Sequence, residues 1–159
     1  MMAIGQLPEN SHHPLLLKLP ASVPSVLFHL HLNKQLLDYE ADALFSESKT
    51  QGKIHLIKSV FEERNQKEVK LLSKKILEKY PDTVILFGIK AAGKAQLLFQ
   101  RSEELAFDMG RLMETACAVI NGRGGGRPQQ AQGGGSAVQK LEDALQKTEG
   151  MLFDIINSV

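Results

Sequence analysis

The stretch NGRGGGRPQQAQGGGS, Asn121 to Ser136, holds seven glycines, two arginines, three glutamines and no acid. Glycine this dense excludes a helix interior and leaves no side chains to bury, so the chain must be a fold with a special backbone segment between two better-patterned regions. Two readings of that segment stand. In the first, Gly124, Gly125, Gly126 and Gly133, Gly134, Gly135 adopt positive φ and expose amides as an anion-binding nest, with Arg123 and Arg127 adding planar phosphate donors. In the second, the stretch is a flexible link between helices. Pro128 and the glutamines between the triplets depart from a uniform Gly/Ser tether and favour the first.

Patterns on either side describe a small α/β unit. From about Asn33, Leu37, Ala41, Leu44 and Ser48 fall at helical spacing. KIHLIKSVF alternates and is rich in β-branched residues, which predicts a strand. Val69, Leu72, Ile76 and Tyr80 share a helix face, with Asn65 as N-cap and Pro81 as the stop. TVILFGI is a continuous apolar run, as in a strand buried on both faces, and KAAG joins it to the alternating KAQLLFQR as a hairpin turn. Met109, Leu112, Ala116 and Val119 mark a helix with Asp108 at its start, and Val138, Leu141, Leu145, Thr148, Leu152, Ile155 and Val159 form a heptad-like stripe on a last helix. The expected fold is α/β (α+β), a small mixed β-sheet packed with helices, with a glycine-rich loop before the C-terminal helix. Residues 1–32 hold four of the six prolines and no useful periodicity, so they read as an irregular extension and 33–159 as the domain.

Other chemistry is weaker. At 159 residues and net charge +1, the chain has room for one domain and lacks the bulk charge of a strongly basic binder, so any nucleic-acid contact is a local patch. The single cysteine, Cys117, forms no intrachain disulfide and sits among small helical residues as a buried hydrophobe; a reducing cytoplasmic location is expected. No apolar run approaches the roughly 20 residues that span a bilayer, and the prolines and missing basic n-region argue against a signal peptide. GIKAAGK follows the spacing of a phosphate-binding loop until Ala95 stands where Ser or Thr should ligate magnesium. Strand-like alternation follows it instead of a helix, so a turn is the better reading. His12, His13, His29, His31 and His55 have no ligand partners at zinc-site spacing.

GRGGGRPQQAQGGG resembles the signature loop of the C-terminal domain shared by alanyl-tRNA synthetases and free-standing alanyl-tRNA editing proteins, a branch of the DHH-associated accessory domain. The resemblance extends through KIHLIKSVFEERNQKEVKLLSKKI, DTVILFGIK and FQRSEELAFDMGRLM, from about Leu36 to Ile156. Gln129 stands where the synthetase branch usually has an acid, which makes the loop more favourable to an anion. The paired zinc-editing motifs, the aspartate-histidine-histidine cluster and an adenylation domain are all missing from the sequence given. The resemblance therefore implies a non-catalytic module without metal or cofactor, contacting tRNA, alanine tRNA foremost, and working with a catalytic editing or synthetase chain. It implies that Arg123, Gly124, Gly125, Gly126, Arg127, Gln132, Gly133 and Gly134 contact nucleic acid, joined by Arg101 and Ser102 at the end of a strand. Arg101 shares the parity of Leu97 and Phe99 and is expected to emerge at the sheet edge; Lys90 and Lys94 are weaker candidates. Two alternatives remain: a composite active site completed by a DHH phosphoesterase or alanyl-tRNA editing hydrolase, and dimerisation or docking through the last helix, whose bland counterpart is packing on its own domain.

Overall fold

The computed structural model describes residues 25–158, with side chains from Lys34 onward. The irregular extension expected before the domain lies outside the described residues up to residue 24, and residues 25–32 depart from that expectation. They open α1 (Ser25–Ser46), directly after Pro24. The alternation Phe28-His29-Leu30-His31-Leu32 obscures the helical period there, whereas proline just ahead of a helix is compatible with its unsatisfied first turn. The chain divides into two units within α1, and the second is Glu40–Val159.

The second unit is a six-stranded mixed sheet of order β1-β2-β3-β4-β6-β5. β1 (Lys49–Gln51) is a short polar strand that the sequence pattern did not reveal; a turn at Gly52, φ 64°, returns it antiparallel onto β2 (Ile54–Glu62). α2 (Gln66–Lys79) then makes the crossover to β3 (Thr83–Ala91), which pairs parallel with β2. The Asn65 side chain accepts the Lys67 amide as N-cap. β3 turns directly into β4 (Lys94–Arg101) through Ala92 and Gly93, both at positive φ, 53° and 71°. That is the geometry of a two-residue hairpin with the strand twist, not of a loop opening a helix. α3 (Met109–Val119) follows, capped by Asp108, whose side chain accepts the Arg111 amide. After the glycine segment, a 3₁₀ turn (Val138–Lys140) leads into α4 (Leu141–Asn157).

Both faces of the central strands are buried, as the unbroken apolar run in β3 requires. On one face, Leu56, Leu86, Leu97, Phe99 and Ala131 pack with Met109, Met113 and Ala116 of α3 and Leu141, Leu145 and Leu152 of α4. On the other, Ile57, Ile85, Phe87, Ile89 and Leu98 are buried, as are Val69, Leu72 and Ile76 of α2. Full burial of each such side chain contributes about 1.5–3 kcal/mol before entropy is counted. The last two turns of α1 are fastened to this unit by polar contacts: Arg64 pairs with Glu40 at 2.5 Å and with Glu68 at 2.6 Å, and Phe45 stacks on Tyr80 with ring centroids 3.8 Å apart. Hydrogen bonds from Lys79 and Tyr80 hold the Asp42 carboxyl below the usual carboxylate range.

Candidate functional site

The glycine-rich segment is not a loop. Gly122–Gly126 form β5 and Gln130–Gly135 form β6, an antiparallel hairpin whose second strand pairs with β4, so most of the segment is part of the sheet. The nest reading is overturned with it, because none of these glycines lies in the left-handed region, where φ is positive. Arg127 and Gln130 exchange backbone hydrogen bonds across the turn, with Pro128 at the position its fixed φ suits.

What the glycines permit is close approach. α3 lies against β5 and β6, and the Cys117 sulfur would stand 2.8 Å from a Cβ on Gly124 and closer still to one on Gly133. A Cβ on Gly135 would overlap the Ile120 carbonyl, and one on Gly126 the Gln130 carbonyl. Cys117 is 1% exposed, and burial pushes its thiol pKa up, against an opposing hydrogen bond with the Gly134 backbone. The glycines that face α3 thus explain themselves by packing.

The opposite face of the hairpin is different. Alternation puts Arg123, Gly125 and Arg127 beside Gln130, Gln132 and Gly134 on this side, away from α3. Arg123, Arg127 and Gln132 are exposed, and a Cβ on Gly125 would meet nothing within 4 Å. Neither φ nor crowding requires glycine at 125. Gln132 accepts a hydrogen bond from Gln66 at 3.3 Å, and Gln100 donates to Gln130 at 3.2 Å, so amide side chains line the way from the hairpin to α2. Along α2, Lys67, Lys70, Leu71 and Lys74 face these glutamines across a cleft of about 400 Å³. Sequence reasoning missed them. The signal was a second stripe at i, i+3, i+4, i+7 on a helix already assigned by its apolar face.

Arg101 and Ser102 take a structural place. β4 is an interior strand, so Arg101 does not emerge at a sheet edge. It is 8% exposed, and its guanidinium donates to the Phe107 carbonyl at 2.6 Å and to those of Ser102 and Glu103 at 2.9 and 3.3 Å. The Ser102 hydroxyl accepts the Thr83 amide at 3.0 Å. Lys90 pairs with Glu142 at 3.1 Å, and Lys94 is exposed. Within the heptad-like stripe of the last helix, Leu141, Leu145, Thr148 and Leu152 are buried in the domain, whereas Ile155 is 40% exposed. Glu149 on that helix is 6% exposed; burial raises its pKa, but hydrogen bonds from Lys49 and Lys58, both 2.7 Å, outweigh it and the net shift is downward. Among the described residues, no helix is long and apolar enough to cross a membrane.

A mixed sheet carrying a glycine hairpin clamped by one helix, with a polar arginine- and glutamine-bearing face turned outward, defines a small α/β domain. Residues 53–152 match the DHHA1 domain, and the chain belongs to that family. It is 34% identical over 115 residues to the alanine–tRNA ligase of Caldicellulosiruptor saccharolyticus and 34% over 97 residues to that of Leptospira interrogans. These alignments cover 70% and 59% of this chain but only 13% and 10% of the ligases, so the chain corresponds to a small part of those relatives. Among solved structures it is similar to the C-Ala domain from Aquifex aeolicus alanyl-tRNA synthetase, with TM-score 0.59 and 25% identity, covering 69% of this chain and 96% of that one. RecJ from Thermus thermophilus shares the fold, with TM-score 0.54 and 18% identity over 87% of this chain and 21% of that one.

Proposed function

We propose that the domain is a non-catalytic tRNA-binding module of the alanyl-tRNA synthetase or editing type, and that it holds RNA phosphates on the outward face of the β5–β6 hairpin. The observation that carries this reading is that Arg123 and Arg127 stand exposed on one face, flanking Gly125, where no side chain would otherwise block a backbone from lying flat. Guanidinium forks are suited to phosphate oxygens, and such contacts position RNA without reading its sequence. Gln132 and Gly134 belong to the same surface. Gly124, Gly126 and Gly133 serve it indirectly, by seating the hairpin on α3. Similarity to ligases that charge alanine tRNA supports alanine tRNA as the partner, with a catalytic synthetase or editing chain completing the assembly.

The test is fluorescence anisotropy with alanine tRNA, a non-cognate tRNA and single-stranded DNA at low and physiological salt. Arg123→Ala with Arg127→Ala should weaken tRNA binding and reduce the log–log salt slope by roughly 1.4–1.8, two contacts at about 0.7–0.9 each. Both side chains are exposed, so stability should not change. Unchanged affinity and slope in the double variant would refute the reading.

A further inference from the structure

We infer that the cleft between α2 and strands β4 and β6 holds an unpaired nucleotide of the bound RNA, with its base against Leu71 and its phosphates on Lys67, Lys70 and Lys74. This deepens the tRNA-binding reading and rests on it. The cleft of about 400 Å³ lies within the range of small-molecule sites, room for a nucleotide and far too little for a duplex.

Each wall offers one part of a nucleotide its matching chemistry. Leu71 is 56% exposed at the centre of the lysine row, an apolar surface in a polar setting and of a size to meet the face of a base. Opposite it, Gln100 is held by the Ser73 hydroxyl and donates to the Gln130 oxygen. Gln130 is thereby oriented with its NH₂ group uncommitted among the described residues, a donor ready for a base carbonyl or ring nitrogen. The three lysines lie on one side of α2 and form no ion pair among the described residues, unlike Lys49, Lys58 and Lys90, which are spent on acids.

Charge also sets the direction of the strand. The cleft contains no acid, whereas the wider cleft of about 680 Å³ that continues from it past Lys74 and Gln130 toward Pro81 is lined by Glu78, Glu103 and Glu104. Those carboxylates repel phosphate. The strand therefore leaves the cleft at its Lys67 end, where Gln66 bonds Gln132 of the hairpin, and not past Lys74 into the acidic cleft. Unpaired RNA is the natural occupant because its bases are splayed out and free to use an apolar face and an amide together.

The experiment measures binding of the full chain to a single-stranded RNA of about ten nucleotides, a blunt RNA duplex of the same sequence and the matching single-stranded DNA. The single strand should bind about tenfold more tightly than the duplex at physiological salt. Leu71→Ala and Gln130→Ala should each weaken single-strand binding about fivefold with an unchanged salt slope, because neither removes a charge. Lys70→Ala with Lys74→Ala should lower the slope by about 1.4. Weaker DNA binding would add recognition of the 2′-hydroxyl, and equal DNA binding would support a cleft that takes unpaired nucleotides of either sugar. Equal binding of the duplex, or wild-type affinity in Leu71→Ala and Gln130→Ala, would overturn the inference. If the Arg123/Arg127 variant still lost affinity for every RNA in that case, the tRNA-binding reading would survive it; if that variant also bound normally, both would fall.

Discussion

At the scale of single residues, two glycines of one hairpin have opposite reasons to be glycine. Gly133 is pressed onto the Cys117 sulfur and the backbone of Gly124, so Gly133→Ala forces the helix and hairpin apart. Overpacking of this kind costs about 1–3 kcal/mol, and urea unfolding should show it as a lower midpoint with the slope preserved. Gly125 has open space above it and no positive φ. Gly125→Ala should leave stability unchanged or raise it by about 0.4–1 kcal/mol, since alanine reduces the entropy of the unfolded chain. Its effect should appear instead as weaker RNA binding in anisotropy. Equal losses of stability in the two variants would contradict this division. The sequence shows only that both positions are glycine; which face each occupies depends on register, and register is set by partners distant in the chain.

At the scale of elements, legibility follows the strength of the local pattern. α2 was readable from Asn65 to Pro81 because cap, apolar period and stop all agree, and β3 because seven consecutive apolar or small residues leave no exposed face. β1 offered three polar residues with no pattern, and its pairing with β2 comes from the turn at Gly52. The hairpin of β5 and β6 was unreadable as strands because glycine lacks strand propensity, and what holds it is the ladder to β4 and the pressure of α3. Part of the candidate site was legible in the same way: Arg123, Arg127 and Gln132 declare themselves beside the glycines, while the lysines of α2 needed the fold to bring them across from Gln130. The β3–β4 turn makes a further expectation testable. Ala92 occupies the first of two positive-φ positions, where a side chain with a Cβ is strained and asparagine is tolerated best. Ala92→Asn should therefore raise stability by up to about 1 kcal/mol, part of the left-handed cost that alanine bears, read as a higher midpoint in urea. A lower midpoint would mean that the turn is not of this type.

At the scale of the whole molecule, one edge of the sheet, β1 and β2, is tied to the distant α4 by a buried charge. Glu149 of α4 receives lysines from β1 and β2, and its pKa is depressed in the folded state, as are those of Asp42 and Glu104. A depressed carboxylate contributes stability that is complete above its unfolded pKa, about 4.3 for glutamate and about 3.9 for aspartate, and is lost as pH falls through the lower folded value. Stability should accordingly be flat down to about pH 5 and decline below it. Glu149→Gln should cost about 1–2 kcal/mol at pH 7 and less near pH 3, below the unfolded pKa, where the contribution of the depressed carboxylate is being lost. Urea unfolding at the two pH values checks this, and a difference that persists undiminished in acid would assign the effect to packing. The seat of Cys117 beneath the hairpin has a last consequence, for measuring motion. It is the chain's single cysteine, and its sulfur becomes reachable only when β5 and β6 lift from α3. The rate at which a thiol reagent labels it therefore counts openings of that one contact, and a ligand that fastens the hairpin to the sheet will slow the clock in proportion to how tightly it is held.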